Sequence, residues 1–304
     1  MSTNAALPQS FTLRSSKCEV EISSLAGFPT SWKVGPQQNE ILGTWLGSNG
    51  SLSSGFPMFP VIGQIGEDGV IGDEKGDYTP GKHGFCRKTL FKAKMGFDNV
   101  LTLSYAHDPA TKLGLYPYAC EIELTYRLVE NELTIQTFVR NAGKNRMAFG
   151  CGLHPAFAMP VEGSVLSLVT ALPEKTKIYR PIQGVLRDGH YAKDPFRNLS
   201  WKLSPKDFKD DAYFFLTQGA PQISMALQSP QGRKLALTLD GWGGFGVWSK
   251  PEKPDFICIE PLTGASLMPM PRAPKPTWQE ALGLAHLEPL QNFCATTKIK
   301  VLGI

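Results

Sequence analysis

Long apolar runs are missing from this 304-residue chain: no stretch approaches the roughly 18 residues that a membrane span needs, so no membrane partner is expected. Long basic runs are missing too. With 31 basic and 27 acidic residues the net charge is only +4, and no basic cluster exceeds a pair, which leaves no footprint for nucleic acid. Charged residues make up 19%, too few for a disordered chain, and the 42% of apolar residues is enough for a sizeable core. The opening residues, MSTNAALPQSFTLRSS, lack a charged stretch followed by an apolar one and do not read as a signal peptide. The six cysteines (18, 86, 120, 151, 258 and 294) are scattered, mostly inside apolar stretches. That pattern fits buried free thiols in a reducing compartment rather than a disulfide framework, so a cytoplasmic location is expected.

Helical periodicity is equally scarce. Ser204-Pro205 with Asp207 can cap a single turn, and Thr277-Trp278-Gln279-Glu280 fits a capping box opening a short helix to about Leu284. What dominates instead is period-two alternation. In Cys120–Leu128, residues Cys120, Ile122, Leu124, Tyr126 and Leu128 alternate with Glu121, Glu123, Thr125 and Arg127, the pattern of a half-buried antiparallel strand. After the turn at Glu130-Asn131 the pattern resumes to Arg140, which predicts a hairpin. Shorter runs occur at Cys18–Ile22, Val100–Tyr105, Ser164–Val169, Ile223–Leu227, Leu235–Leu239, Phe256–Ile259 and Thr297–Leu302. With 30 glycines, 24 prolines and no linker or internal repeat, residues 1–304 read as one all-β domain, a large antiparallel sandwich or barrel.

Several motifs invite chemistry. Gly241-Trp242-Gly243-Gly244-Phe245-Gly246 matches a dinucleotide fingerprint, but a strand fragment ended by Pro251 follows instead of a helix. A glycine-rich turn between strands is expected there, not a nucleotide site. His83-x-x-Cys86 and Cys151-x-x-His154 together offer four zinc ligands. Residues three apart in a strand face opposite ways, so no metal is expected from them. Phe56-Pro57-Met58-Phe59-Pro60 is too proline-rich for a central strand and reads as an edge or loop. His83 sits in a polar loop, His154 between Gly152 and Pro155, and Glu260 at the end of the apolar run Phe256-Ile257-Cys258-Ile259. A carboxylate so placed is partly desolvated, which moves its pKa toward the range of a general base. A structural role for each of these three remains open on the residues alone.

Taken in order, Phe-Pro-x-x-Gly, His-Gly-Phe-x-Arg, Gly-Leu-His-Pro-x-Phe and Ile-Cys-Ile-Glu-Pro-x-Thr-Gly resemble the galactose mutarotase, or aldose 1-epimerase, family, including its hexose-6-phosphate-epimerase-like relatives. The resemblance runs from about Phe56 to Gly264. It implies an antiparallel β supersandwich with a sugar cleft, and anomer interconversion that needs no cofactor and no metal. It implies Glu260 as general base, His154 as general acid and His83 as a sugar contact. Asp211 falls where a carboxylate binds sugar hydroxyls, although Asp210 beside it leaves the register open. Gln64 stands where many relatives carry arginine, with Arg87 a substitute or a structural residue. Trp242, Phe245 and Trp248 are candidates for an aromatic sugar platform, with core packing as the alternative. The implied partner is a small sugar, free or phosphorylated, and the implied assembly a monomer or homodimer. A catalytically weak sugar-binding or sensing protein is the alternative function.

Overall fold

The computed structural model describes residues 7–46, 52–65, 68–74, 76–182, 184–217, 222–268, 277–279, 281 and 283–304. Its main sheets are antiparallel, as the alternation predicts, and together they form the supersandwich that the resemblance implies. The largest sheet has nine strands in the order Lys92–Met95, Val100–His107, Cys120–Val129, Glu132–Asn141, Asn292–Leu302, Lys234–Asp240, Gln222–Gln228, Val165–Leu168 and Ser200–Lys202. Its hairpin pairs Ile122 with Val139, Tyr126 with Ile135 and Leu128 with Leu133. All six of these side chains are buried, while Glu121 and Arg127 on the other face are exposed. Burial of one face fixes the register, because a slip by one residue would turn every apolar side chain to water.

A second sheet runs in the order Lys177–Tyr179, Tyr213–Leu216, Gly244–Lys250, Lys253–Leu262, Gly152–Leu153 and Pro57–Met58, with Ala156–Phe157 also paired to Lys253–Leu262. Both of its faces are covered. Residues 256–262 are buried without interruption, so alternation vanishes from the sequence although the side chains still alternate in space. Ile257 and Ile259 join the main core, whereas Phe256, Cys258 and Leu262 join a smaller apolar cluster with Trp45, Phe56, Met58 and Phe214. Glu260 belongs by period two to the second set.

A four-stranded sheet, Ser10–Arg14, Cys18–Ser23, Phe28–Val34 and Asn39–Glu40, packs on the main core through Leu13, Val20, Ile22 and Trp32. The helical elements among the described residues are two 3-10 turns, Cys86–Lys88 and Pro205–Phe208. The second is the one expected at Ser204, whose backbone N–H donates to the Asp207 carboxylate at 2.9 Å. The short helix expected from Thr277 to about Leu284 falls partly on Glu280 and Leu282, which lie outside the described residues. Trp278 and Gln279 form a turn with one Ala281-to-Thr277 backbone bond. No helix is long and apolar enough to cross a membrane among the described residues. All six cysteines are free, and all but Cys294 are buried.

Candidate functional site

The cleft opens on the second sheet's smaller apolar face. Its lining includes Trp45, Phe56, Lys82, His83, Arg87, His154, Asp211, Phe214, Trp248, Lys250 and Glu260, around about 310 Å³ of accessible space. Strand pairing explains how residues distant in sequence meet there. Gly152 pairs with Leu262 and Ala156 with Cys258, and continuing that register places His154 opposite Glu260. On the other side Gly246 pairs with Glu260. A Cβ on Gly246 would stand 3.2 Å from Glu260 Oε2, so the glycine leaves the carboxyl its room.

His154 Nε2 lies 3.2 Å from Glu260 Oε1, with both side chains almost fully buried. Burial raises the Glu260 carboxyl to about 8, helped by the nearby charge of Asp211. Burial lowers the His154 imidazole to about 3, with Arg87 and Lys82 pushing the same way. The contact therefore joins a neutral carboxyl to a neutral imidazole at neutral pH. It is not an ion pair at rest, and the couple carries a single acidic proton. Glu260 Oε1 and His154 Nδ1 have no hydrogen-bond partner.

His83 approaches His154 with ring centroids 5.4 Å apart. Its backbone is left-handed, φ 62°, and Gly84 follows at 76°. A Cβ on Gly84 would fall 1.9 Å from the Phe59 carbonyl oxygen, so only glycine permits this close approach. The Gly63 N–H donates to His83 Nδ1 at 3.2 Å, which puts the ring proton on Nε2. Met58 Sδ is 3.1 Å from the same nitrogen. Burial holds this imidazole well below its ordinary pKa, so it is a neutral donor.

Asp211, not Asp210, lines the cleft. Asp210 is turned to solvent and meets Arg180 at 3.5 Å. Asp211 is left-handed, φ 76°, and Arg180 donates to its carbonyl at 3.1 Å and to that of Asp207 at 2.8 Å. Arg87 lies 4.2 Å from the Phe56 ring centroid and is half-buried. Gln64 is half-buried beside Gly63 but does not line the cleft.

Of the three aromatic candidates, Trp242, expected at the sugar, is corrected to a core residue, and Phe245 takes the core-packing alternative. Trp242 is buried away from the cleft, where its Nε1–H donates to Thr297 Oγ1 at 3.0 Å. Phe245 faces the main core and stacks on Phe215 at 4.6 Å. The strand Gly244–Lys250 turns its even-numbered residues to the cleft, so only Trp248 of the three lines it. Trp45 and Phe56 complete the aromatic wall, with ring centroids 5.3 and 4.8 Å from that of His154. Trp45, Phe214 and Lys250 were not foreseen. The phase of alternation around Trp248 was the signal for Lys250, whereas Trp45 lies in a two-residue strand with no local signature. The four zinc candidates do not assemble either. His83 and His154 face the cleft, while Cys86 and Cys151 lie in the main core beside Cys120. The glycine-rich segment is a turn only at residues 241–243; Gly244 already begins a strand.

The sequence model described as aldose 1-epimerase matches residues 9–289. Protein LacX (plasmid) of Lactococcus lactis subsp. lactis is 29% identical over 223 residues, which cover 69% of this chain and 73% of that protein. Among solved structures, a galactose mutarotase related enzyme from Lactobacillus acidophilus superposes with a TM-score of 0.82 at 22% identity, covering 97% of this chain and 98% of that one. A galactose 1-epimerase from Lactobacillus acidophilus NCFM superposes with a TM-score of 0.67 at 12% identity, covering 99% and 96%.

Proposed function

The chain belongs to the aldose 1-epimerase family, and on that premise we propose that it interconverts the α and β anomers of a hexose or related sugar. The observation that carries this reading is the buried Glu260–His154 couple, 3.2 Å apart on the cleft wall. Moving the carboxyl proton from Glu260 to His154 converts the neutral couple into carboxylate and imidazolium without changing its net charge. In that form Glu260 takes the proton of the C1 hydroxyl while His154 gives one to the ring oxygen. The C1–O5 bond breaks, leaving an open-chain aldehyde, a C5 hydroxyl and a neutral couple. Rotation about C1–C2 followed by the reverse transfers closes the ring to the other anomer. The two oxygens share one carbon, so catalytic groups in contact with each other can serve both. Each such transfer contributes about 10²–10⁴-fold. His83 donates Nε2–H to a sugar hydroxyl, Asp211 accepts from others, and Trp45, Phe56 and Trp248 cover the apolar face of the ring.

A second reading concerns the substrate. Lys82, Arg87 and Lys250 all line the cleft, and none forms an ion pair among the described residues. With Glu260 neutral, Asp211 is the one carboxylate among the described lining residues to face these three cations. The imbalance favours an anionic sugar such as a hexose 6-phosphate. A merely sugar-binding protein was the alternative raised by Gln64. That position is outside the cleft, and Arg87 supplies a guanidinium within it, which favours the enzyme. Magnetisation-transfer NMR over free and phosphorylated hexoses tests both points. Accelerated anomer exchange is expected, and exchange at the uncatalysed rate for every sugar would refute the enzyme reading.

A further inference from the structure

The face of the sheet that carries the Glu260–His154 couple also carries Cys258, two residues before Glu260 on the same strand and paired with Ala156. The donor atoms of His154, Cys258 and Glu260 all lie within 4.8 Å of one another, and all three side chains are buried. None of the proton transfers proposed above uses the Cys258 thiol. We propose that His154, Cys258 and Glu260 form a three-donor site for a borderline-soft divalent cation, Zn²⁺ foremost, and that its occupation blocks the cleft to sugar.

Three features support this. The donor set of one imidazole, one thiolate and one carboxylate is of the kind Zn²⁺ selects, and harder cations such as Mg²⁺ do not. Nitrogen and oxygen donors about 2.0–2.1 Å from a tetrahedral centre stand about 3.3 Å apart. His154 Nε2 and Glu260 Oε1 already stand at that spacing, 3.2 Å apart, with the Cys258 thiol within 4.8 Å of both. Finally, Glu260 Oε1 is buried without a hydrogen-bond partner, a costly arrangement that a cation would relieve. Binding involves no redox change: the Cys258 and Glu260 protons leave to solvent, His154 binds as the neutral ring, and the fourth position faces the cleft. The ion would thus act as a reversible inhibitor held by the same two groups that move protons.

The test uses Co²⁺ and Zn²⁺ on the full chain carrying Cys294→Ser, which removes the exposed thiol as a competing ligand. One Co²⁺ per chain with a near-ultraviolet thiolate-to-metal band is expected, and Cys258→Ser should abolish that band. In that variant, exchange without metal should stay within about twofold, while inhibition by Zn²⁺ weakens by at least about tenfold, as loss of one ligand requires. A band that persists after Cys258→Ser, or unchanged Zn²⁺ inhibition, overturns the proposal. Should Cys258→Ser fail to fold, Glu260→Gln gives the same decision: Co²⁺ affinity falls at least about tenfold, or the proposal is wrong. Because the cobalt spectrum needs no turnover, its outcome is separate from that of the epimerase reading.

Discussion

Glu260 and His154 touch at 3.2 Å across the register that links Gly152 to Leu262 and Ala156 to Cys258. Burial moves their pKa values in opposite directions, past each other. A free carboxylate and a free imidazole would form an ion pair between about pH 4.3 and 6.5. Here the ordering is inverted, so the couple keeps one proton over a wider range and its ionic form is reached by a transfer within the pair. This relationship sets the pH dependence of the proposed reaction.

Anomer exchange should therefore hold steady through pH 6.5, where an ordinary imidazole would lose its proton. It should fall above about pH 8, as Glu260 loses the couple's last proton. Polarimetric rates across pH 5 to 9.5, corrected for the uncatalysed reaction, check this. A decline centred near pH 6.5 would show two groups titrating independently.

Glu260→Gln should lower exchange by about 10²–10⁴-fold while sugar affinity changes little, since the amide keeps shape and loses the base. His154→Asn should do nearly the same. The stability effect has a definite sign. The folded carboxyl titrates above its unfolded counterpart, so its contribution is fully present at acid pH and is lost as pH rises through about 8. Glu260→Gln removes that loss, so its Tm should gain on the wild type as pH increases from 5 to 9. A Tm difference independent of pH would contradict the raised carboxyl.

Asp211→Asn tests a charge at a distance. The Asp211 carboxylate helps raise Glu260, after burial, so its removal should move the alkaline limb of the exchange profile to lower pH. KM should rise as well, because the cleft loses a hydroxyl acceptor. An unmoved alkaline limb would exclude electrostatic contact between the two carboxyls.

The outer frame was legible in the sequence because one face of the nine-stranded sheet is buried and the other wet; Cys120–Val129 and Glu132–Asn141 fall within a residue of their expected bounds. The second sheet was less legible for the opposite reason. Between Phe256 and Leu262 every residue is buried, so the strand gave no phase, and its far end was placed at Ile259. The site chemistry was visible as four separated motifs, but nothing local reveals that residues 152–156 pair with 258–262. That pairing brings His154 to Glu260, and it is a contact across about a hundred residues. The aromatic wall was half missed because adjacent aromatics, such as Phe214 and Phe215, divide between cleft and core by strand phase alone.

That division yields the last prediction, a contrast between two tryptophans six residues apart in sequence. Trp242 donates to Thr297 in the core, at 3.0 Å, and meets Phe293 edge-on. Trp248 meets His154 edge-on at 5.6 Å on the cleft wall. Trp242→Phe keeps the apolar bulk but strands a buried hydroxyl, which costs about 1–3 kcal/mol. It should lower Tm and leave kcat and KM of the folded protein unchanged. Trp248→Ala removes a surface on which a sugar ring would rest and should raise KM by about tenfold or more, since an aromatic contact of this size is worth up to about 1.5 kcal/mol beyond its buried area. Its Tm should change less than that of Trp242→Phe, because Trp248 is half-buried whereas Trp242 is almost wholly enclosed. Denaturation midpoints and saturation kinetics of the two variants decide the matter. If Trp242→Phe raised KM while Trp248→Ala did not, the cleft would lie on the other side of the strand Gly244–Lys250, and the placement of Glu260 as its base would fall with it.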